Sequence, residues 1–178
     1  MVLALSEYTE ALQITRELAT QNPATFLPNV ANTLNNLGIL HMNTNEIAIA
    51  LSEYTEALQI YRELATQNPA TFLPYVASTL YNLAVLHRNT NEIALAMSEY
   101  QEALQIYQDF AKKSPATFQP MVEMVLENIA DLQNATDERN ISGFENGQSP
   151  PTKQRSRSIK SRSLIKNICQ RLKNLLRM

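Results

Sequence analysis

A chain of 178 residues with 44% apolar and 18% charged side chains has room for one folded domain and a soluble, folding-competent composition. Its single cysteine, Cys169, excludes an intramolecular disulfide, and no stretch reaches the roughly 18 consecutive apolar residues of a membrane span. The formal net charge of −2 sums two unlike parts: residues 1–134 carry 14 acidic and 5 basic side chains, residues 135–178 carry 3 and 10. The N-terminus MVLALSEYTE lacks the basic and apolar regions of a secretory leader. A cytoplasmic location is the expectation.

Residues 2–22 read as an amphipathic helix that contains LSEYTEALQI, from Leu5 to Ile14. The decapeptide recurs unchanged from Leu51 to Ile60 and returns as MSEYQEALQI from Met97 to Ile106. Tyr8, Tyr54 and Tyr100, or Pro23, Pro69 and Pro115, set a period of 46 residues. Such a period marks a solenoid, whose units bury their apolar faces against neighbours. In the central copy Leu51, Tyr54, Leu58, Tyr61 and Leu64 form a helical stripe, which Asn68-Pro69 closes. This is helix B of the unit. A second stripe of Val76, Leu80, Leu83 and Leu86 begins just past Pro74, placed as a first-turn proline. This is helix A. The link Asn89 to Glu92 is expected to stop helix A and to supply an Asn or Thr cap for the next helix B. Six helices follow in the order B-A-B-A-B-A, the last running from Pro120 to about Asn134, with Ala135 to Glu138 in place of the turn.

Leu80-x-x-Leu83-Ala84-x-x-His87 followed by Ala96-x-x-x-Tyr100-x-x-Ala103, and Leu34, Leu37, Gly38, His41, Ala50, Tyr54, Ala57 before it, resemble the tetratricopeptide repeat signature. The resemblance covers about residues 1–138. It implies an all-α, right-handed solenoid of helical hairpins. The period exceeds the usual one of about 34 and is similar to that of the extended repeats of kinesin light chains. Armadillo and HEAT repeats share the longer period, but the Ala-x3-Tyr-x2-Ala spacing favours the tetratricopeptide reading. The expected divisions are a half repeat at 1–25, repeats at 26–71 and 72–117, and a terminal helix at 118–138. A disordered linker at 139–162 and a basic amphipathic helix at 163–178 would complete the chain.

Residues 4–49 and 50–95 differ at eight positions, and five of them, Asn29/Tyr75, Asn32/Ser78, Asn35/Tyr81, Ile39/Val85 and Met42/Arg88, follow one another at helical spacing along helix A. Met124 and Glu127 continue the row in the third copy. By the resemblance, this side of the A helices lines a concave groove that holds an extended peptide of a partner. Tyrosine, arginine and methionine suit an interface, and asparagine amides can both donate to and accept from a peptide backbone. The groove residues are therefore expected to be Asn29, Asn32, Asn35, Met42, Tyr75, Ser78, Tyr81, Arg88, Met124 and Glu127.

No motif carries catalysis. His41 and His87 hold the same place in successive copies and give way to Gln133 in the third, which points to packing. The glutamates of the decapeptide, such as Glu53 and Glu56, read as a solvated helix face. Cysteine and histidine lack zinc spacing and three glycines cannot build a phosphate-cradling loop, so no enzyme, metal or cofactor is expected.

In the tail, Leu164, Ile165, Ile168, Leu172, Leu175 and Leu176 form a stripe flanked by Lys166, Arg171, Lys173 and Arg177. Such a helix suits an anionic membrane surface or an acidic partner, and without aromatic side chains it does not favour nucleic acid. The leading expectation is a non-enzymatic scaffold for a peptide partner. The alternatives are a peripheral membrane tether working through the tail, and a fragment of a larger signalling protein. Because Leu5, Tyr8, Leu12 and Ile14 repeat the internal copy with no preceding helix A to cover them, a homodimer through the N-terminal helix, or a cap formed by the tail, is also expected.

Overall fold

In the computed structural model, backbone structure is described for residues 2–145 and side-chain burial for residues 3–137. The linker and basic helix expected beyond Glu145 lie outside the described residues. The chain divides into two compact units, Met1–Glu127 and Asn128–Met178. Six helices follow one another: α1 Val2–Gln21, α2 Pro23–Asn43, α3 Ile47–Gln67, α4 Pro69–Asn89, α5 Ile93–Ala111 and α6 Pro115–Glu145. There is no strand among the described residues.

Helix A starts one turn and more before its expected origin. Pro69, not Pro74, occupies the first helical position of α4, and Asn68 caps it by accepting the Thr71 N–H at 3.2 Å. Asn22 does the same for Pro23 and α2, accepting from Thr25 at 3.3 Å. The Asn-Pro pair combines a strong N-cap with a proline whose absent N–H costs nothing at that place. Pro28, Pro74 and Pro120 lie inside their helices instead.

The A-to-B link also departs from expectation. Thr44 is the C-cap of α2, and Asn45 follows it in the left-handed region at φ 63°. The Glu46 N–H bonds the His41 carbonyl at 2.8 Å and the Asn45 N–H that of Met42 at 3.1 Å. This is a Schellman closure, in which the C-terminal carbonyls of helix A are satisfied by the residues of the turn. Asn91 repeats it at φ 66°. No side chain caps α3 or α5, because Thr44 and Thr90 turn back to accept no N–H but to donate to carbonyls of helix A, at Leu40, His41, Leu86 and His87.

In the third copy the turn is lost. Ala135 replaces the helix-ending asparagine of Asn43 and Asn89, and Asp137 replaces Asn45 and Asn91, so α6 runs on to Glu145. The Thr136 hydroxyl bonds the Leu132 carbonyl at 2.8 Å within the continuing helix. Residues 139–145 are therefore helical and not linker.

Within the first unit, consecutive helices from α1 to α5 pack on one another, and α2 also touches α4 directly. The chain there is a helical-hairpin solenoid. Ala50, Ala57, Ala96 and Ala103 are fully buried where paired helices come closest, and Tyr54 and Tyr100 fill the space between, also with no exposed surface. Gly38 shows how close that approach is: a Cβ there would lie 2.6 Å from the Tyr54 ring. Tyr107 and Phe118 meet at 6.4 Å between ring centroids where α5 meets the first turns of α6.

Candidate functional site

Six of the eight divergent positions fall on α2 and α4; Gly38/Ala84 is buried, and none of the other five is. Asn29, Asn32 and Tyr75 are exposed, and Asn35, Ile39, Met42, Ser78, Tyr81, Val85 and Arg88 are half-buried. On α6, Met124 is half-buried and Glu127 exposed. Steps of three fall short of a full 3.6-residue turn, so the row winds around its helix instead of running straight. At its start Tyr75 stacks on Tyr61 of α3, with centroids 5.2 Å apart and planes 17° from parallel. Further on, Tyr81 packs against Tyr100 of α5 at 5.7 Å. The two tyrosines thus lean on opposite neighbours.

Polar residues of the expected groove are engaged within the fold as well. Ser78 shares a hydrogen bond with the Tyr107 hydroxyl of α5. Asn35 accepts a 3.0 Å bond from the amide of Asn82, which ties α2 to α4 across adjacent units. Asn82 was not among the expected residues. It has the same identity in all three copies, as Asn36, Asn82 and Asn128, so a comparison of differences passes over it. The signal that finds it is a polar residue repeated among apolar repeats.

The histidines are buried, and each has a carboxylate partner. His41 Nδ1 lies 2.7 Å from Glu53 Oε2, and His87 Nδ1 lies 2.8 Å from Glu99 Oε2. Each contact spans the turn and fastens helix A to the following helix B. Burial pushes the carboxyls of Glu53 and Glu99 above their ordinary range, against the opposing pull of the histidine hydrogen bond. Glu53 is therefore no part of a solvated face: its side chain is 13% exposed, because Ala50, Tyr54 and Ala57 draw α3 close against α2.

Glu56 is half-buried and fixed, both its carboxylate oxygens accepting from Arg16 Nη2 at 2.6 Å. Glu102 repeats this with Arg62 at 2.7 and 2.8 Å. An imidazole–carboxylate pair recurring at successive turns is a clamp between helices, not a single reaction centre. Among the described residues, no three of His, Cys, Asp and Glu gather to hold a metal ion.

The hairpins, their small-residue contacts and the repeated tyrosine meet a matching family model, described as Tetratricopeptide repeat, over residues 29–109. These residues are tetratricopeptide repeats. No curated protein matches the chain. Tetratricopeptide repeats are in general protein–protein interaction modules. Among the described residues no helix is long and apolar enough to cross a membrane.

Proposed function

We propose that this array is a non-enzymatic, cytoplasmic scaffold that holds an extended peptide of a partner protein in a concave groove lined by the A helices α2, α4 and α6. One observation carries the reading. Between two copies that are otherwise nearly identical, most substitutions fall on the non-core side of consecutive A helices. Core positions are held by packing, which leaves this side free to acquire a partner's chemistry. Asn29, Asn32 and Asn35 supply amides, Tyr75 and Tyr81 amphipathic rings, and Arg88 a cation that can meet a carboxylate. The Asn35–Asn82 bond holds the two helices in register while Asn32 remains exposed.

A peptide library selected on the full chain tests this. Asn32→Ala and Arg88→Ala should each weaken the selected peptides by about tenfold, as loss of a well-placed polar contact does. The melting temperature should hardly move. Arg62→Ala, on an outer edge of α3, serves as the control and should leave affinity unchanged. Peptides bound equally by all three variants would remove the groove from consideration.

A further inference from the structure

Of the eight substitutions between residues 4–49 and 50–95, only Met42/Arg88 exchanges a neutral side chain for a cation. The charges around that position are otherwise the same. His41, Glu46 and Glu53 match His87, Glu92 and Glu99, and the His41–Glu53 contact at 2.7 Å matches His87–Glu99 at 2.8 Å.

The tyrosines beside these pairs are placed alike and served differently. Tyr54 and Tyr100 both have no exposed surface. Arg88 stands close enough to the Tyr100 hydroxyl for its charge to oppose the effect of burial there. The Tyr54 hydroxyl has no hydrogen-bond partner among the described residues, and burial and then the Glu53 carboxylate both push its pKa upward. The missing cation and the unpaired hydroxyl thus belong to the same repeat.

They also belong to the same place. A Cβ at Gly38 would lie 2.9 Å from Cζ of Tyr54, the ring carbon that bears the hydroxyl. Met42 is four residues past Gly38, one turn further along that side of α2, as Arg88 is one turn past Ala84 on α4. Met42 is half-buried, and an unbranched thioether is easily displaced. In the turn that follows, Glu46 is exposed and has no ion pair among the described residues. Its charge and that of Glu56, which Arg16 holds, add to the burial that raises the Glu53 carboxyl.

We infer that the part of the groove where Met42 adjoins Tyr54 is a subsite for an arginine side chain of the bound peptide, whose guanidinium takes the place that Arg88 holds in the next repeat. This rests on the reading of the A helices as a peptide groove and names a residue that the peptide carries. Arginine fits because its planar fork has several N–H donors, so that one reaches the tyrosine oxygen while others meet Glu46. The displaced methionine packs along the arginine's aliphatic stem.

Two measurements test the subsite, the first without a peptide. Met42→Arg in the full chain supplies the guanidinium from within. The denaturant midpoint should rise, and the rise should vanish when Tyr54→Phe is also present, because the acceptor is then gone. A midpoint that falls or does not change, or a rise that survives Tyr54→Phe, would overturn the subsite. The second measurement uses decapeptides selected on the full chain from a random library. The selected peptides should share an arginine at one position, and its replacement by methionine should weaken them by at least about tenfold. Met42→Arg or Tyr54→Phe in the chain should abolish that difference, whereas Arg88→Ala should preserve it. Binders without a shared arginine, or with an arginine preference that Met42→Arg leaves intact, overturn this inference alone and leave the groove standing. A library that yields no binder removes the groove reading itself, and the peptide's arginine with it.

Discussion

Tyr54 sits between Gly38 and the alanines of α3 with its ring enclosed, and its hydroxyl has no hydrogen-bond partner among the described residues. Burial drives that hydroxyl's pKa strongly upward, because a phenolate could not be solvated there. Burying an unpaired hydroxyl costs about 1–3 kcal/mol, while the ring itself is what fills the space. Tyr54→Phe should therefore leave stability unchanged or raise it by about 1 kcal/mol, read from denaturant unfolding. A loss of similar size would show that the hydroxyl is satisfied. The Tyr100 hydroxyl is likewise pushed up, to about 12, chiefly by burial. Its ring lies against Tyr81, which makes Tyr81 partly a packing residue as well as a surface one.

At the scale of the element, the ends of the helices decide where each hairpin folds. Asn22 and Asn68 start helix A, and Asn45 and Asn91 end it by adopting the left-handed conformation at φ 63° and 66°. Asparagine tolerates that region better than other residues with a Cβ, and glycine tolerates it best. Asn45→Ala should lower stability by about 1 kcal/mol, while Asn45→Gly should match or exceed the natural chain. Thermal or denaturant midpoints of the two variants measure the difference. Equal midpoints would mean that the Schellman closure is not maintained in solution. The third copy offers an internal comparison, since Ala135 and Asp137 stand where the first two have asparagine and α6 continues.

For the molecule as a whole, the array is joined by contacts between neighbours. The apolar seams provide most of the cohesion, whereas the Arg16–Glu56 and Arg62–Glu102 pairs are about half exposed and water screens them. Such pairs contribute about 0.2–1 kcal/mol each and serve mainly to align units. Cohesion that is local should survive removal of distant chain. A chain ending at Glu145 is expected to keep a mainly helical circular dichroism spectrum and a cooperative melt. A spectrum with strand character, or loss of helix on truncation, would contradict this.

The period of 46, the all-helical class and the hairpin order were legible in the residues themselves, because amphipathic spacing and small-residue contacts repeat too regularly for another fold. Near-identity of the copies also singled out a surface row, since core positions cannot drift without a packing cost. What could not be read was which of two prolines starts helix A. Pro69 and Pro74 are both compatible with a first turn, and only the cap at Asn68, formed when the chain folds back, distinguishes them. Nor did the decapeptide reveal that Glu53 is spent on His41. A glutamate on a polar stripe looks solvated until the partner helix arrives, and the histidine it meets lies 12 residues away around a turn. The contrast between Tyr8 and Tyr54 belongs wholly to tertiary structure: identical residues in identical decapeptides differ in burial because one helix has a neighbour on that side and the other, among the described residues, does not.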